Sequence, residues 1–408
     1  MATAVPEIDL ATFDWTDWAD DPFPLYRRLR DDAPVFWDDA NQTFILTRYD
    51  DVYDILLHHD RWSSVPRDIL DGRQPPTSEI RQQDEPRHSF IRKIVAPLFN
   101  PRAMRERERL IREIVRDLVD SAEADEVVEV STMIATPLPA RVALGLIGLP
   151  QERHARFGEL MGERLAFLLN RGKGGESSTA ELAEFARIRA EMWEIVAPII
   201  EERRRRPQLD AITRICEKQD EVGKEVLSDD VFLNMLLELV TGGFETTQHL
   251  IESLLDHLAD HPELWGRLRA ERELVPKAIE EMLRFRSPTQ ALGRRPLGDV
   301  ELHGVAIPAD SWVTVVYGSA NRDERTFPDP DTYDIDRDLR RHVAFSAGIH
   351  YCPGAPVSRA ETGLLLQELL DRYRGVERVG PSLPNANPMP GKVGKIIGWE
   401  QVPVRFVR

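Results

Sequence analysis

The stretch that decides the fold is Phe345-Ser346-Ala347-Gly348-Ile349-His350-Tyr351-Cys352-Pro353-Gly354-Ala355. A single cysteine sits in a glycine-containing loop just ahead of a helix. The partial positive charge of a helix N-terminus lowers a thiol's pKa and favours thiolate. Gly348 and Gly354 let the backbone come close to a flat object. The loop therefore suits one soft metal ligand. Taken alone, a lone cysteine is more often a buried structural residue; the pattern around it decides otherwise.

Phe-x-x-Gly-x-His-x-Cys-x-Gly resembles the haem-binding loop of the cytochrome P450 superfamily, in its soluble bacterial form. The resemblance implies that Cys352 is the proximal thiolate ligand of the iron of haem b, feeding electron density to it. It implies that His350 contacts a haem propionate and that Phe345 packs beside the sulfur. Two departures stand out. Ser346 occupies a usual glycine position, so its turn must avoid positive φ or accept strain. Pro353 lacks an N–H, so hydrogen bonds to the sulfur are expected from Gly354 and Ala355.

Working outward, Glu281-Met282-Leu283-Arg284 places an acid and an arginine at i, i+3 on one helix face. It resembles the family's Glu-x-x-Arg, a structural lock on the cysteine loop, with Arg337 the candidate third partner. His88-x-x-x-Arg92 puts two donors on one side of a helix and resembles the family's propionate-binding helix. Arg294 matches a further propionate arginine, with Arg295 beside it as the alternative. Gly242-Gly243-Phe244-Glu245-Thr246-Thr247 lies midway along a long helix. Two interior glycines cost roughly 1 kcal/mol each relative to alanine, which argues either for a groove beside the backbone or for close helix packing. The segment resembles the family's oxygen-activation motif, in which Thr246 holds dioxygen and Glu245 relays protons. Glu238, one turn earlier, points toward the same groove. With Thr241, Gly242 and Gln290 it forms the expected substrate surface, and a pairing of Glu238 with a neighbouring arginine is the competing expectation.

The helix carrying this motif starts at Ser228-Asp229-Asp230 and stops at His261-Pro262. That is about 33 residues, roughly 50 Å. A hairpin is expected between Pro34–Trp37 and Thr43–Leu46. A loop with at most a short helix spans 62–83, and mostly helix runs from 86 to 285. Strands fall within 297–318 around a Gly304 turn, and a helix runs from Ala360 to about Tyr373. The fold class is mainly α with a minor β part. The resemblance, which covers the chain from about residue 20 onward, implies a triangular helical prism with small β-sheets and haem between the long helix and the cysteine loop, all as one domain over 1–408.

Fifty-three basic and 70 acidic residues give a net charge of −17, which repels nucleic acid. Two cysteines, Cys216 and Cys352, are too few for a disulfide framework. The N-terminus lacks a signal peptide's pattern and no run of 18 apolar residues occurs, so a monomeric cytoplasmic protein is expected. The implied activity is a monooxygenase that inserts one oxygen atom into a small organic substrate by hydroxylation, epoxidation or O-demethylation. The length leaves no room for a fused reductase, and no flavin or iron–sulfur pattern occurs, so electrons are expected from an external ferredoxin and its flavoprotein reductase. Arg87, Lys93, Arg102, Arg105, Arg340 and Arg341 could form its docking patch. The alternatives are a peroxide-driven peroxygenase and a non-catalytic haem protein, such as an electron carrier or gas sensor. The Glu245-Thr246 pair argues against both.

Overall fold

A computed structural model of the chain describes residues 21–70, 80–122, 126–172, 178–338, 341–385 and 396–408. It opens with α1 (Phe23–Asp32), the strands β1 (Val35–Asp38) and β2 (Thr43–Leu46), α2 (Tyr49–Leu57), the two-residue strand β3 (Trp62–Ser63) and the single turn α3 (Arg67–Leu70). A helical body follows: α4 (Arg87–Val95), α5 (Pro101–Asp120), the short strand β4 (Val127–Glu129), α6 (Pro137–Ile147), α7 (His154–Gly172), α8 (Thr179–Arg205), α9 (Ala211–Val222), α10 (Asp229–Asp260), α11 (Pro262–Ala270) and α12 (Val275–Phe285). Next come β5 (Ala291–Pro296), β6 (Val300–Leu302), β7 (Val305–Ile307), β8 (Val313–Val316), α13 (Tyr317–Ala320) and α14 (Ala355–Arg372). The chain ends in β9 (Gly375–Arg378), β10 (Leu383–Pro384), β11 (Trp399–Gln401) and β12 (Pro403–Val407).

Helix α10 is the spine, and its limits are local chemistry. The Ser228 hydroxyl caps it by accepting the Val231 N–H at 3.3 Å, and Asp229 and Asp230 sit in the positive first turn. Pro262 begins the next helix, where its missing N–H costs nothing. Phe232, Leu236, Leu237, Leu250, Ile251 and Leu254 bury α10 in the main helical core, each side chain contributing about 1.5–3 kcal/mol.

The main sheet has the order β1-β2-β8-β5-β3, with β2 parallel to β8 and the other pairs antiparallel. Its apolar residues, among them Val35, Leu46, Trp62, Val313 and Val315, build a second core. The C-terminal strand β12 lies between β4 and β9. Among the described residues no single helix is long and apolar enough to cross a membrane; one pair, bent by 119°, passes by length and composition alone.

Three sequence expectations need correction. Strand β5 begins at Ala291, not within 297–318; its run Ala-Leu-Gly-Arg-Arg-Pro has no alternation of apolar and polar residues to announce it. The 62–83 segment holds strand β3 as well as a short helix, and residues 71–79 lie outside the described residues. Helix α14 starts at Ala355 rather than Ala360, because Pro356 is tolerated in a first turn and therefore does not delay it. The earlier start brings the helix N-terminus against Cys352.

Candidate active site

The cysteine loop is closed on itself. The Cys352 N–H donates to the Phe345 carbonyl at 2.9 Å, and the Ser346 N–H to Val343 at 2.8 Å. Ser346 adopts φ +63°, so the turn takes the strained option. Gly348 also has φ +63°, and a Cβ there would collide with the Leu56 carbonyl. The N–H groups of Gly354 and Ala355 point at the Cys352 sulfur, and Arg92 and Arg359 also favour its charged form. Burial nonetheless prevails and pushes the thiol up. The helix N-terminus does pull this pKa down, through the N–H groups of Gly354 and Ala355, but burial outweighs it. Phe345 lies under the Arg359 guanidinium, 4.6 Å from its ring centre.

Two wholly buried side chains form the lock. Arg284 donates twice to Glu281, at 2.7 and 2.8 Å, and also to the carbonyls of Asn321, Pro330 and Thr332. Arg337 reaches the same Glu281 oxygen at 3.4 Å. A second lock escaped the sequence reading. Glu280 binds Arg359 of α14 and, at 2.8 Å, His342. Burial would raise its carboxyl, but hydrogen bonds from Arg359 and His342 hold it down at about 2. The only signal for it was a second acid beside Glu281.

His88, Arg92, Arg294 and His350 converge. The rings of His88 and His350 are 4.6 Å apart. His350 is depressed to about 3 by burial first, then by Arg294, His88, Arg92 and His59. Its Nε2 meets the Ser64 hydroxyl at 2.9 Å, and Asp84 fixes Ser64 through its N–H; neither residue stood out in the sequence. Arg92 donates to the Tyr351 carbonyl at 2.8 Å, which ties this cluster to the cysteine loop. His88 is pushed down chiefly by burial. Its Nδ1 meets Glu85 at 3.3 Å, while its buried Nε2 has no partner among the described residues. The two guanidinium groups of Arg92 and Arg294, brought together with the two imidazoles, are matched to carboxylates. Strand alternation separates the two adjacent arginines: Arg295 pairs with Asp310 and donates to Ser63, whereas Arg294, among the described residues, donates to the Gly293 carbonyl and faces His350.

The two glycines of α10 have different surroundings. A Cβ on Gly243 would lie 3.7 Å from the Ala143 methyl, in ordinary contact, so Gly243 faces α6. Gly242 is exposed and a Cβ there meets nothing within 4 Å, which leaves this face of the helix open. Thr246 borders the open face, its hydroxyl donating to the Gly242 carbonyl at 3.1 Å. The Thr241 hydroxyl donates to Leu237 at 2.8 Å. Glu238 accepts the Ile80 N–H at 2.9 Å. Gln290 does not join this surface. It is wholly buried, donates to the Ser287 carbonyl at 2.5 Å and lies against Gly318, because the start of β5 turns it into the sheet. Arg92 and Arg294 fit the carboxylates of a haem, and the Cys352 sulfur, backed by the N–H groups of Gly354 and Ala355, would hold its iron.

The chain matches the family model described as "Cytochrome P450" over residues 178–389. Cytochrome P450 monooxygenase PikC of Streptomyces venezuelae is 31% identical over 415 residues, covering 99% of this chain and 95% of that one. Cytochrome P450 109 of Bacillus spizizenii is 30% identical over 391 residues, covering 94% and 92%. The crystal structure of CYP109E1 from Bacillus megaterium with corticosterone superposes with a TM-score of 0.81 at 30% identity, covering 95% of this chain and 99% of that one. The chain belongs to the cytochrome P450 family and is a monooxygenase that carries haem b.

Proposed function

We propose that this enzyme puts one oxygen atom of O2 into a C–H bond or alkene of a small, largely apolar substrate, with electrons from an external ferredoxin and its flavoprotein reductase. Hydroxylation, epoxidation and O-demethylation are the forms this takes. The observation that carries the reading is the acid–alcohol pair Glu245-Thr246 beside the open Gly242 face of α10. Haem, when bound, supplies an iron centre at which O2 is reductively activated. Cys352 would hold the iron, its sulfur steadied by the N–H groups of Gly354 and Ala355. His88, Arg92, Arg294 and His350 would grip the propionates, and Gly348 and Phe345 shape the loop beneath. The Thr246 hydroxyl, which rests on the Gly242 carbonyl, would turn to hold and orient dioxygen, and Glu245 would deliver protons to that hydroxyl. Glu238, Thr241 and Gly242 border the substrate. Steroid-sized molecules are the first class to screen, since CYP109E1 crystallises with corticosterone and testosterone. A cytoplasmic monomer is part of this reading, supported by the acidic charge of −17.

The reduced, carbon-monoxide-bound protein is expected to show the red-shifted Soret band of a thiolate–iron complex, lost in Cys352→Ala. Retention of that band in the variant would place the iron ligand elsewhere. Product formed with ferredoxin, reductase and O2 supports the monooxygenase reading; product formed only with hydrogen peroxide would replace it by a peroxygenase.

A further inference from the structure

Behind Glu245, at i+4 and i+7 on the same face of α10, lie His249 and Glu252. The His249 side chain is 2% exposed and Glu252 is fully enclosed, with Nδ1 and Oε2 2.7 Å apart. Three donors converge on Glu252: the Gln248 amide at 2.9 Å, the Trp399 N–H at 3.2 Å and His249 Nδ1. An enclosed carboxylate is costly unless positive charge sits against it. Among the described residues in contact with Glu252, His249 alone can carry that charge. Because Nδ1 donates to Glu252, Nε2 is the nitrogen left to act outward, and the tautomer follows from its partner. Nε2 lies 4.0 Å from Glu245 Oε1, about 1 Å beyond hydrogen-bond length. The backbone at Gly398 lies flat against the imidazole, where any Cβ would strike the ring. The ring is therefore held from behind by a carboxylate and from the side by a glycine, with Nε2 facing the Asn385 amide at 3.4 Å and Glu245 at 4.0 Å.

We propose that His249, held by Glu252, is a positioning residue for Glu245 and the store from which Glu245 is reprotonated; this rests on the Glu245-Thr246 reading above. The step moves one proton and no electrons. The His249 Nε2–H bond breaks and an O–H bond forms on Glu245. The imidazolium becomes imidazole and keeps its Nδ1–H on Glu252. Solvent at the exposed edge of Glu245, whose side chain is 37% accessible, reloads Nε2 before the next substrate enters and displaces that water. The groups facing His249 are Glu245 and Glu252 from its own helix. From the C-terminal segment come Asn385 at 3.4 Å, Gly398 and Trp399, with Arg286 stacked over the Trp399 ring.

The test uses the full-length haem-loaded protein in its diamagnetic ferrous carbon-monoxide form, with 15N-labelled histidines. The His249 signal, identified by its loss in His249→Asn, is expected to show the Nδ1–H tautomer. Its ring 15N signals are expected to shift in Glu245→Gln, because the Glu245 carboxylate faces Nε2. If His249→Asn does not fold, that shift within the ten histidine signals identifies the residue instead. An Nε2–H tautomer, or a histidine spectrum indifferent to Glu245→Gln, overturns the proposal. In turnover with ferredoxin and reductase, His249→Phe is expected to lower product per NAD(P)H roughly tenfold at unchanged KM, less than a directly acting acid contributes. His249→Asn, which keeps a hydrogen-bonding group, is expected to restore part of it. Unchanged coupling in both variants also overturns the proposal. Failure of the underlying reading is separately visible, as intact coupling in Thr246→Ala, whereas the histidine spectrum is recorded without turnover.

Discussion

Thr246 spends its hydroxyl on the Gly242 carbonyl, a bond that slightly weakens the helix ladder and holds the oxygen at the edge of the open face. Thr246→Ala removes the hydroxyl and little volume. Haem and substrate binding are expected to persist while product per NAD(P)H falls and hydrogen peroxide rises; measuring peroxide against product checks this, and unchanged coupling would take Thr246 out of proton delivery. The residues proposed for chemical roles were read from order and spacing, because Cys352, His350, Glu245 and Thr246 each stand in a short local pattern. Ser346 shows where spacing stopped helping: the sequence marked the position as strained or altered, and only the backbone shows that it takes positive φ. His249 and Glu252 gave no signal, because an acid and a histidine on a helix usually face solvent, and their burial depends on the C-terminal segment laid over them.

Two predictions belong to the elements. Gly242→Ala adds a methyl group where nothing stands within 4 Å, and alanine favours helix by about 1 kcal/mol. The variant is expected to melt at a higher temperature yet turn over more slowly, since the methyl occupies the open face; calorimetry and product assay on one preparation test both halves. The second concerns the join between α12 and α14. Glu280 is held at about 2 against an ordinary 4.5, so its contribution is complete above about pH 4.5 and disappears as pH falls toward 2. The shift corresponds to at most about 3 kcal/mol. Glu280→Gln is expected to be less stable than the parent at pH 7 and to approach it in acid. Urea unfolding at pH 7 and pH 3 measures this; an undiminished gap at pH 3 would mean that Glu280 acts by shape and not by charge.

Across the whole molecule, a net charge of −17 coexists with exposed cations on segments that flank the His88–Arg92 and Cys352 motifs in the sequence. Lys93, Arg102, Arg105 and Arg341 are exposed and Arg87 is half-buried, while Arg340 lies outside the described residues. Arg102 and Arg109 pair with acids on α5 yet stay 84% and 88% accessible, so water and salt weaken those pairs. An acidic electron donor would dock here through local charge, in spite of the net sign. Its reduction rate of this protein is expected to fall as salt rises from about 0.05 to 0.5 M, where screening shortens from roughly 14 to 4 Å. Stopped-flow reduction under carbon monoxide measures it, and a rate independent of salt would remove electrostatics from docking.

What the sequence determined by itself was whatever is encoded locally: the cysteine loop, the capped 32-residue helix and its proline stop, the acid–alcohol pair, and the i, i+3 lock with its distant third arginine. Those features depend on neighbours along the chain. The tertiary structure decided what depends on neighbours in space. It assigned Arg294 and Arg295 to different partners, because a strand sends adjacent side chains to opposite faces. It turned Gln290 into the sheet and tied Glu238 to the Ile80 backbone. It turned Gly243 toward α6 and left Gly242 on an open face, although the two read identically in sequence. And it enclosed Glu252, because burial is a property of what folds over a residue and not of the residue itself.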